Sequence, residues 1–257
     1  MTTHLVIPDV QLRHGDDTGF LKAIGNYIVR KQPDTLVCLG DFADMPSLSS
    51  YDVGKKSFEG RRYILDIEAA KAGMETLLEP IKTFNSKARK NKEKQYKPRM
   101  VLTLGNHEER INRAVNNDAK LEGVLSINDL KYEDFGWEVH KFLDVVIVDG
   151  IAYSHYFVTG VAGRPASSAQ AQLNKKHQSC IAGHQQGLQI ATSYKADGSL
   201  ITSIIAGSCY EHDEDYLGPQ GNRHWRGLLV LHDVRNNGEF DIMPVSLDWL
   251  KRKYLNV

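Results

Sequence analysis

Five short segments of this 257-residue chain carry side chains that divalent cations favour: Pro8-Asp9-Val10-Gln11, Gly40-Asp41-Phe42-Ala43-Asp44, Gly105-Asn106-His107-Glu108, Ser154-His155 and Gly183-His184-Gln185-Gln186. Carboxylates, amide oxygens and imidazoles are the donors from which such metal sites are assembled. The first three segments each follow a short apolar run, Leu5 to Ile7, Thr35 to Leu39 and Met100 to Leu104. Their polar residues are therefore expected at the carboxyl ends of neighbouring strands, where open α/β sheets collect ligands. One convergent site is the expectation.

In sequence order these elements resemble the calcineurin-like metallophosphoesterases, whose pattern runs Asp-x-His, Gly-Asp-x-x-Asp, Gly-Asn-His-Asp/Glu, a lone His and Gly-His-x-His. The resemblance spans Asp9 to Gln186; each element alone is a weak signal, and all five in order are a strong one. It implies an α/β fold in which a two-sheet β-sandwich is flanked by helices as four layers, αββα. It also implies two divalent cations, Mn²⁺ favoured, with Mg²⁺, Zn²⁺ or Fe as alternatives. Phosphoryl hydrolysis uses such a pair, about 3.5 to 4 Å apart, to generate a nucleophile near neutral pH and to place charge against the phosphate oxygens. Asp41 matches the bridging carboxylate, and Asn106, His155 and His184 match the remaining ligands of one metal. Asp9, Gln11 and Gln186, together with Asp41, match those of the other. At two of these positions the family has imidazoles and this chain has amides. An amide oxygen suits Mg²⁺ or Mn²⁺ better than Zn²⁺, so the expectation is a second metal held weakly or reversibly, or lost.

His107 matches the family histidine that lies beside the substrate oxygen without binding metal, and the protein-phosphatase branch pairs it with the last Asp of Gly-Asp-x-x-Asp, here Asp44. A carboxylate behind an imidazole fixes its tautomer and favours the protonated ring, which suits donation to a departing alkoxide. The implied reaction is in-line attack of a metal-bound hydroxide, with no covalent enzyme intermediate. Arg110 either clamps a nonbridging phosphate oxygen with its bidentate fork or forms a surface ion pair. His14 either turns into the site or remains a loop-surface histidine. Downstream, residues 208 to 216 and 222 to 227 resemble the substrate-contacting loop of stand-alone phosphoesterases of bacteria and DNA bacteriophages. There Tyr210, His224 and Trp225 either stack on a base or sugar or pack as a hairpin on the sheet edge. His4, His140, His177 and His232 read as ordinary surface or partly buried histidines.

The leading functional expectation is a metal-dependent phosphodiesterase acting on nucleotides or nucleic acid. A phosphomonoesterase or protein phosphatase is the alternative, matched by Gly-Asn-His-Glu but opposed by Met45-Pro46, which replaces the Arg-Gly that follows Asp44's counterpart in that branch. A non-catalytic binding module would require Gln11 and Gln186 to be damage rather than retuning.

Composition narrows the field. Equal numbers of basic and acidic residues, 32 each, create no global field to draw the chain onto a polyanion or an anionic membrane. The run Lys87 to Arg99 is the local exception, strongly basic with only Glu93 opposing, read either as a solvated face or as a phosphate-tracking patch. Three cysteines without paired spacing, Cys38, Cys180 and Cys209, indicate no disulfide framework. With neither a leader pattern nor a long apolar window, no membrane partner is expected and the expected compartment is the cytoplasm. At 41% hydrophobic, residues 1–257 are expected to form one domain. Helices are predicted over 17–31, 61–86 and 108–121 from their apolar spacing, and the Pro46 to Gly60 stretch as an irregular site rim. Strands are predicted over 4–8, 35–39 and 99–104, and then, from Trp137 onward, over 137–142, 144–148, 151–154, 178–182, 188–194, 200–207, 227–233 and 239–245.

Overall fold

In the computed structural model of the chain, residues 1–214 and 217–256 are described; Asp215 and Tyr216, in the downstream polar segment, lie outside them. Along the chain run β1 (Thr2–Ile7), α1 (Gly19–Lys31), β2 (Thr35–Cys38), α2 (Tyr63–Asn91), β3 (Arg99–Thr103), α3 (Glu109–Asn117), β4 (Glu138–His140), β5 (Val146–Val148) and β6 (Ile151–Ser154). They are followed by α4 (Ala169–Lys176), β7 (Cys180–Ala182), β8 (Leu188–Tyr194), β9 (Leu200–Ala206), α5 (Gly218–Gly221), β10 (Gly227–Val234), β11 (Asp241–Ser246) and α6 (Leu247–Tyr254). Every predicted strand forms.

The strands build two mixed sheets, ordered β11-β10-β1-β2-β3-β4 and β5-β6-β7-β9-β8. Strands β1 to β4 run parallel, as do β6, β7 and β9. A parallel neighbour demands a crossover, and α1, α2 and α4 supply crossovers between β1 and β2, β2 and β3, and β6 and β7.

The near-continuous apolar runs of β1 and β2 follow from burial on both faces. Val6, Val37, Val101, Leu229 and Leu231 meet Tyr153, Ile181 and Ile204 of the other sheet. Their alternate neighbours Leu5, Ile7, Leu36 and Leu102 pack instead with Ile24, Ile28, Met74 and Leu77 of α1 and α2. On the far side, Ala169 and Leu173 of α4 cover Ala191, Ile201 and Ile205. The layers therefore run helices, sheet, sheet, helix. No helix among the described residues is long and apolar enough to cross a membrane.

Helices α4 and α6 were not foreseen. Each is only eight residues long, too short and too polar to display a convincing apolar stripe. Each is nevertheless signalled locally by a serine cap, Ser168 accepting from Ala171 N and Ser246 accepting from Trp249 N. Helix α2 also runs past its predicted end to Asn91.

Helices α1 and α2 approach closely at Gly25, where a Cβ would lie 2.3 Å from Leu77 O and 2.8 Å from the Pro80 ring. Gly25→Ala must push the helices apart, with an expected cost of about 1 to 3 kcal/mol, read as a lower urea midpoint at unchanged slope.

Candidate metal centre and catalytic cleft

All five chemical segments lie at carboxyl ends of parallel strands. Asp9 follows β1, Asp41 follows β2, Asn106 and His107 follow β3, His155 follows β6 and His184 follows β7. Backbone hydrogen bonds join these loops. Val10 N and Gln11 N donate to Asp41 O at 3.0 and 2.7 Å, Gly183 N donates to His155 O at 2.9 Å, and Cys209 N donates to Asp9 O at 2.7 Å. Two motif glycines are required by crowding. A Cβ on Gly105 would sit 2.1 Å from Asp41 Oδ1, and one on Gly183 would sit 2.3 Å from Asp9 Oδ1. Gln11, Asp41 and His184 adopt left-handed backbone, with φ of 46°, 47° and 66°. Each costs about 1 to 2 kcal/mol for a non-glycine residue and persists because these loops are tied on several sides.

Asp41, His155 and His184 form a group that could hold a metal ion, their donor atoms lying within 4.8 Å of one another. His155 Nδ1–H donates to Leu39 O at 2.7 Å; a carbonyl can only accept, so in the neutral ring Nε2 carries the lone pair. That nitrogen faces Asn106 Oδ1 at 2.9 Å and Asp41 Oδ2 at 3.3 Å, while His184 Nδ1 lies 2.7 Å from the same Asn106 oxygen. Electron pairs converging in this way call for a cation at their centre. The same field acts on protons: burial would lower His155, but Asp41 outweighs it and lifts the ring to about 9. Burial and neighbouring His155 push His184 down to about 4, which keeps it in the neutral, ligating form.

In the second set of expected ligands, Asp9 and Gln11 carry buried oxygens that a cation could satisfy. Asp9 Oδ1 accepts from His184 N at 3.0 Å, whereas Asp9 Oδ2 and Gln11 Oε1 are buried and accept no hydrogen bond from any described residue. Burial pushes the Asp9 carboxyl up to about 7, with His155 opposing the rise and Asp41 adding to it. For Asp41 itself, burial is outweighed by His107 and His155, which hold it well below the usual carboxylate range.

Glu108 is fully buried and organises the loops. Its Oε2 accepts from Gly105 N and Asp41 N, both at 2.9 Å, and its Oε1 accepts from Phe42 N at 2.8 Å, Ala43 N at 3.1 Å and the Tyr132 hydroxyl at 3.2 Å. One carboxylate thus satisfies the turn that presents Asp41.

His107 and Asp44 are brought together as expected, with His107 Nδ1 2.5 Å from Asp44 Oδ1 and His107 Nε2 3.7 Å from Asp41 Oδ2. Burial would lower the His107 ring, but Asp41 and Asp44 together raise it. Of the two readings of Arg110, its hydrogen bonds favour the ion-pairing one over the phosphate clamp. Its Nη1 donates to Asp44 O at 2.7 Å and Met45 O at 3.3 Å, and its Nη2 lies 3.1 Å from His107 Nε2. The guanidinium is spent on the His107–Asp44 pair rather than presented as a free bidentate fork.

A cleft of about 630 Å³ opens here, lined by Asn106, His107, Arg110 and His184, by Tyr51 and Lys55 of the expected rim, and by Arg61 just beyond it. His14 is exposed and does not line it. Tyr210 is 1% exposed, stacked on His212 with centroids 4.4 Å apart, and has the Arg226 guanidinium 5.1 Å from its centre, so its ring offers no face to a base. Trp225 packs with the apolar layer between the sheets, at the end of a connection from β9 of one sheet to β10 of the other and so not in a hairpin on a sheet edge. His224 lines a second groove of about 360 Å³ with His184, Gln186, Leu217 and Gly221. By its position, the basic run favours the solvated-face reading over a phosphate track. It spans the last turn of α2 and the connection into the start of β3, at the opposite end of the parallel strands from the cleft.

Sequence reasoning missed Arg13, Glu214 and Tyr156. Arg13 Nε donates to Asp44 Oδ2 and Arg13 Nη2 donates to Glu214 Oε1, while the Tyr156 ring lies 4.8 Å from that of His184. The available signal was that a buried Asp44 must find cationic partners, and Arg13 is the basic side chain in the first motif's own loop. No family model matches the chain, and no curated protein is significantly similar to it.

Two outcomes follow from this geometry. Glu108→Gln turns an NH₂ group against backbone donors, and the expected loss is about 2 to 3 kcal/mol in denaturant unfolding. Mn²⁺ titration should raise the melting temperature of the native chain, and Asp41→Asn should abolish most of that rise.

Proposed function

We propose that the chain is a metal-dependent phosphoesterase of the calcineurin-like metallophosphoesterase type that hydrolyses phosphodiester bonds, with nucleotides as the favoured substrate class. The observation that carries this reading is the convergence of Asp41, Asn106, His155 and His184 on one point, with His107 backed by Asp44 beside it, at the floor of the cleft. The five motif elements in family order support it, as does the layering of two sheets between helices.

Asp41, Asn106, His155 and His184 would hold one ion, and Asp9, Gln11, Gln186 and the shared Asp41 a second, with Mn²⁺ favoured. When bound, the metal supplies Lewis-acid charge at the phosphoryl oxygens and lowers the pKa of coordinated water. The protein's own groups then handle the leaving oxygen. Asp44 accepts from His107 Nδ1–H and favours the ring protonated on both nitrogens, with Nε2–H on the side of Asp41 and the cleft, and that Nε2 proton is the one passed to the departing alkoxide. Arg110, held by the carbonyls of Asp44 and Met45, keeps that ring in place.

A diester is favoured over a monoester by the second groove. Because His184 lines both the cleft and the groove, a phosphorus held beside it has room for a substituent on either side. Tyr51, 82% exposed on the cleft rim, is the aromatic face open to a base.

With Mn²⁺ present, a chromogenic phosphodiester should turn over faster than the matching monoester. His107→Ala should lower kcat by about 10² to 10⁴ while the metal-induced thermal shift persists. Monoester preference would point to the phosphomonoesterase reading, and no turnover with any divalent metal would reject hydrolysis.

A further inference from the structure

Asp44 meets His107 through one oxygen and Arg13 through the other. His107 Nδ1 and, at 3.5 Å, Arg110 Nη1 address Oδ1, whereas Arg13 Nε donates to Oδ2. The terminal torsion of an aspartate is soft, so a single hydrogen bond to His107 leaves the carboxylate free to swing; a donor on the opposite oxygen removes that freedom. The same guanidinium donates through Nη2 to Glu214, which is 10% exposed. Glu214 in turn lies 3.0 Å from His212 Nε2, and its backbone N donates to Asn222 Oδ1 at 2.8 Å. His212 Nδ1 lies 3.5 Å from Asp16 Oδ2, and Arg13 N donates to Asp16 Oδ2 at 2.9 Å. From Asp44 the chain runs through Arg13, Glu214, His212 and Asp16 and closes back on Arg13.

We propose that Arg13 is a positioning residue for the His107–Asp44 pair and that its second donor makes the polar segment after β9 part of that alignment. This rests on the hydrolytic reading above. Arg rather than Lys is required by the geometry, because two carboxylates in different directions are reached from one planar fork and a single ammonium point cannot serve both. Its two acceptors lie 31 and 201 positions away in sequence, so the fork also ties the first loop of the chain to its last substrate-side segment.

The test is kinetic on the Mn²⁺-loaded chain with a chromogenic phosphodiester, and spectroscopic on the chain loaded with diamagnetic Mg²⁺. Arg13→Ala should lower kcat by about 100-fold, the scale of a roughly 1 Å misplacement of a reacting group, with KM changed less than about twofold and kcat partly restored by added guanidinium. Arg13→Lys, which keeps the charge and most of the stem and so guards against a folding failure, should fall between the two. Glu214→Gln should lower kcat in the same direction but by less. A raised KM at unchanged kcat would make Arg13 a substrate contact and overturn the proposal, as would unaltered kinetics in both Arg13 variants. The ¹H–¹⁵N signal of the His107 Nδ1–H, shifted downfield by its short bond to Asp44, supplies a readout that does not depend on turnover. Its loss or upfield movement in Arg13→Lys supports the alignment even if the native chain hydrolyses no phosphoester, and an unchanged signal rejects it.

Discussion

Burying a carboxylate without compensation costs several kcal/mol, and among the carboxylates this protein buries, Asp9, Asp41 and Glu108 lie in loops that touch one another. The architecture around them compensates each in a different way. Glu108 is neutralised in effect by a ring of backbone donors, the arrangement that shapes the Asp41 turn. Asp41 is faced by His107 and His155. Asp9 has one oxygen satisfied by His184 N and the other by no described residue. The graded compensation runs from a structural carboxylate to one that still asks for positive charge, and the candidate metal centre lies where it is least complete.

That gradient also explains the rigidity of the surroundings. Ligand loops in left-handed backbone, glycines abutting carboxylate oxygens and backbone bonds between successive loops leave little room for relaxation. Metal geometry is fixed by such supporting contacts as much as by the ligands themselves. The two sheets contribute separately: the six-stranded sheet presents the acidic residues and the five-stranded sheet presents His155 and His184. The apolar layer of Val6, Val37, Tyr153, Ile181 and Ile204 that joins the sheets is thus what holds the two halves of the ligand set in register.

Much of the fold was legible because burial on both faces writes itself into sequence. Stretches such as Leu5 to Ile7 and Leu228 to Leu231 are unbroken apolar runs, and α1 and α2 carry a clear apolar face. Helices α4 and α6 escaped because two turns resting on a sheet edge or a neighbouring helix need only a few apolar positions. In the site, the motif residues were legible because their spacing is local. At Arg110 and Tyr210 the sequence left two readings open, and partners inside the protein, Asp44 and Met45 for one and His212 for the other, favour the reading that does not face a substrate.

By itself the sequence determined which residues stand at the ends of which strands, because the alternation of apolar runs and polar, glycine-bearing turns is a property of neighbours along the chain. It also determined the donor chemistry of the site, including the amides at 11 and 186. Only the tertiary structure decided which nitrogen of His155 faces Asp41, where the basic run lies relative to the cleft, and that Arg13 joins Asp44 to Glu214. Those outcomes depend on groups far apart in the chain, whose directions are set by packing and by the need to satisfy buried charge rather than by local pattern.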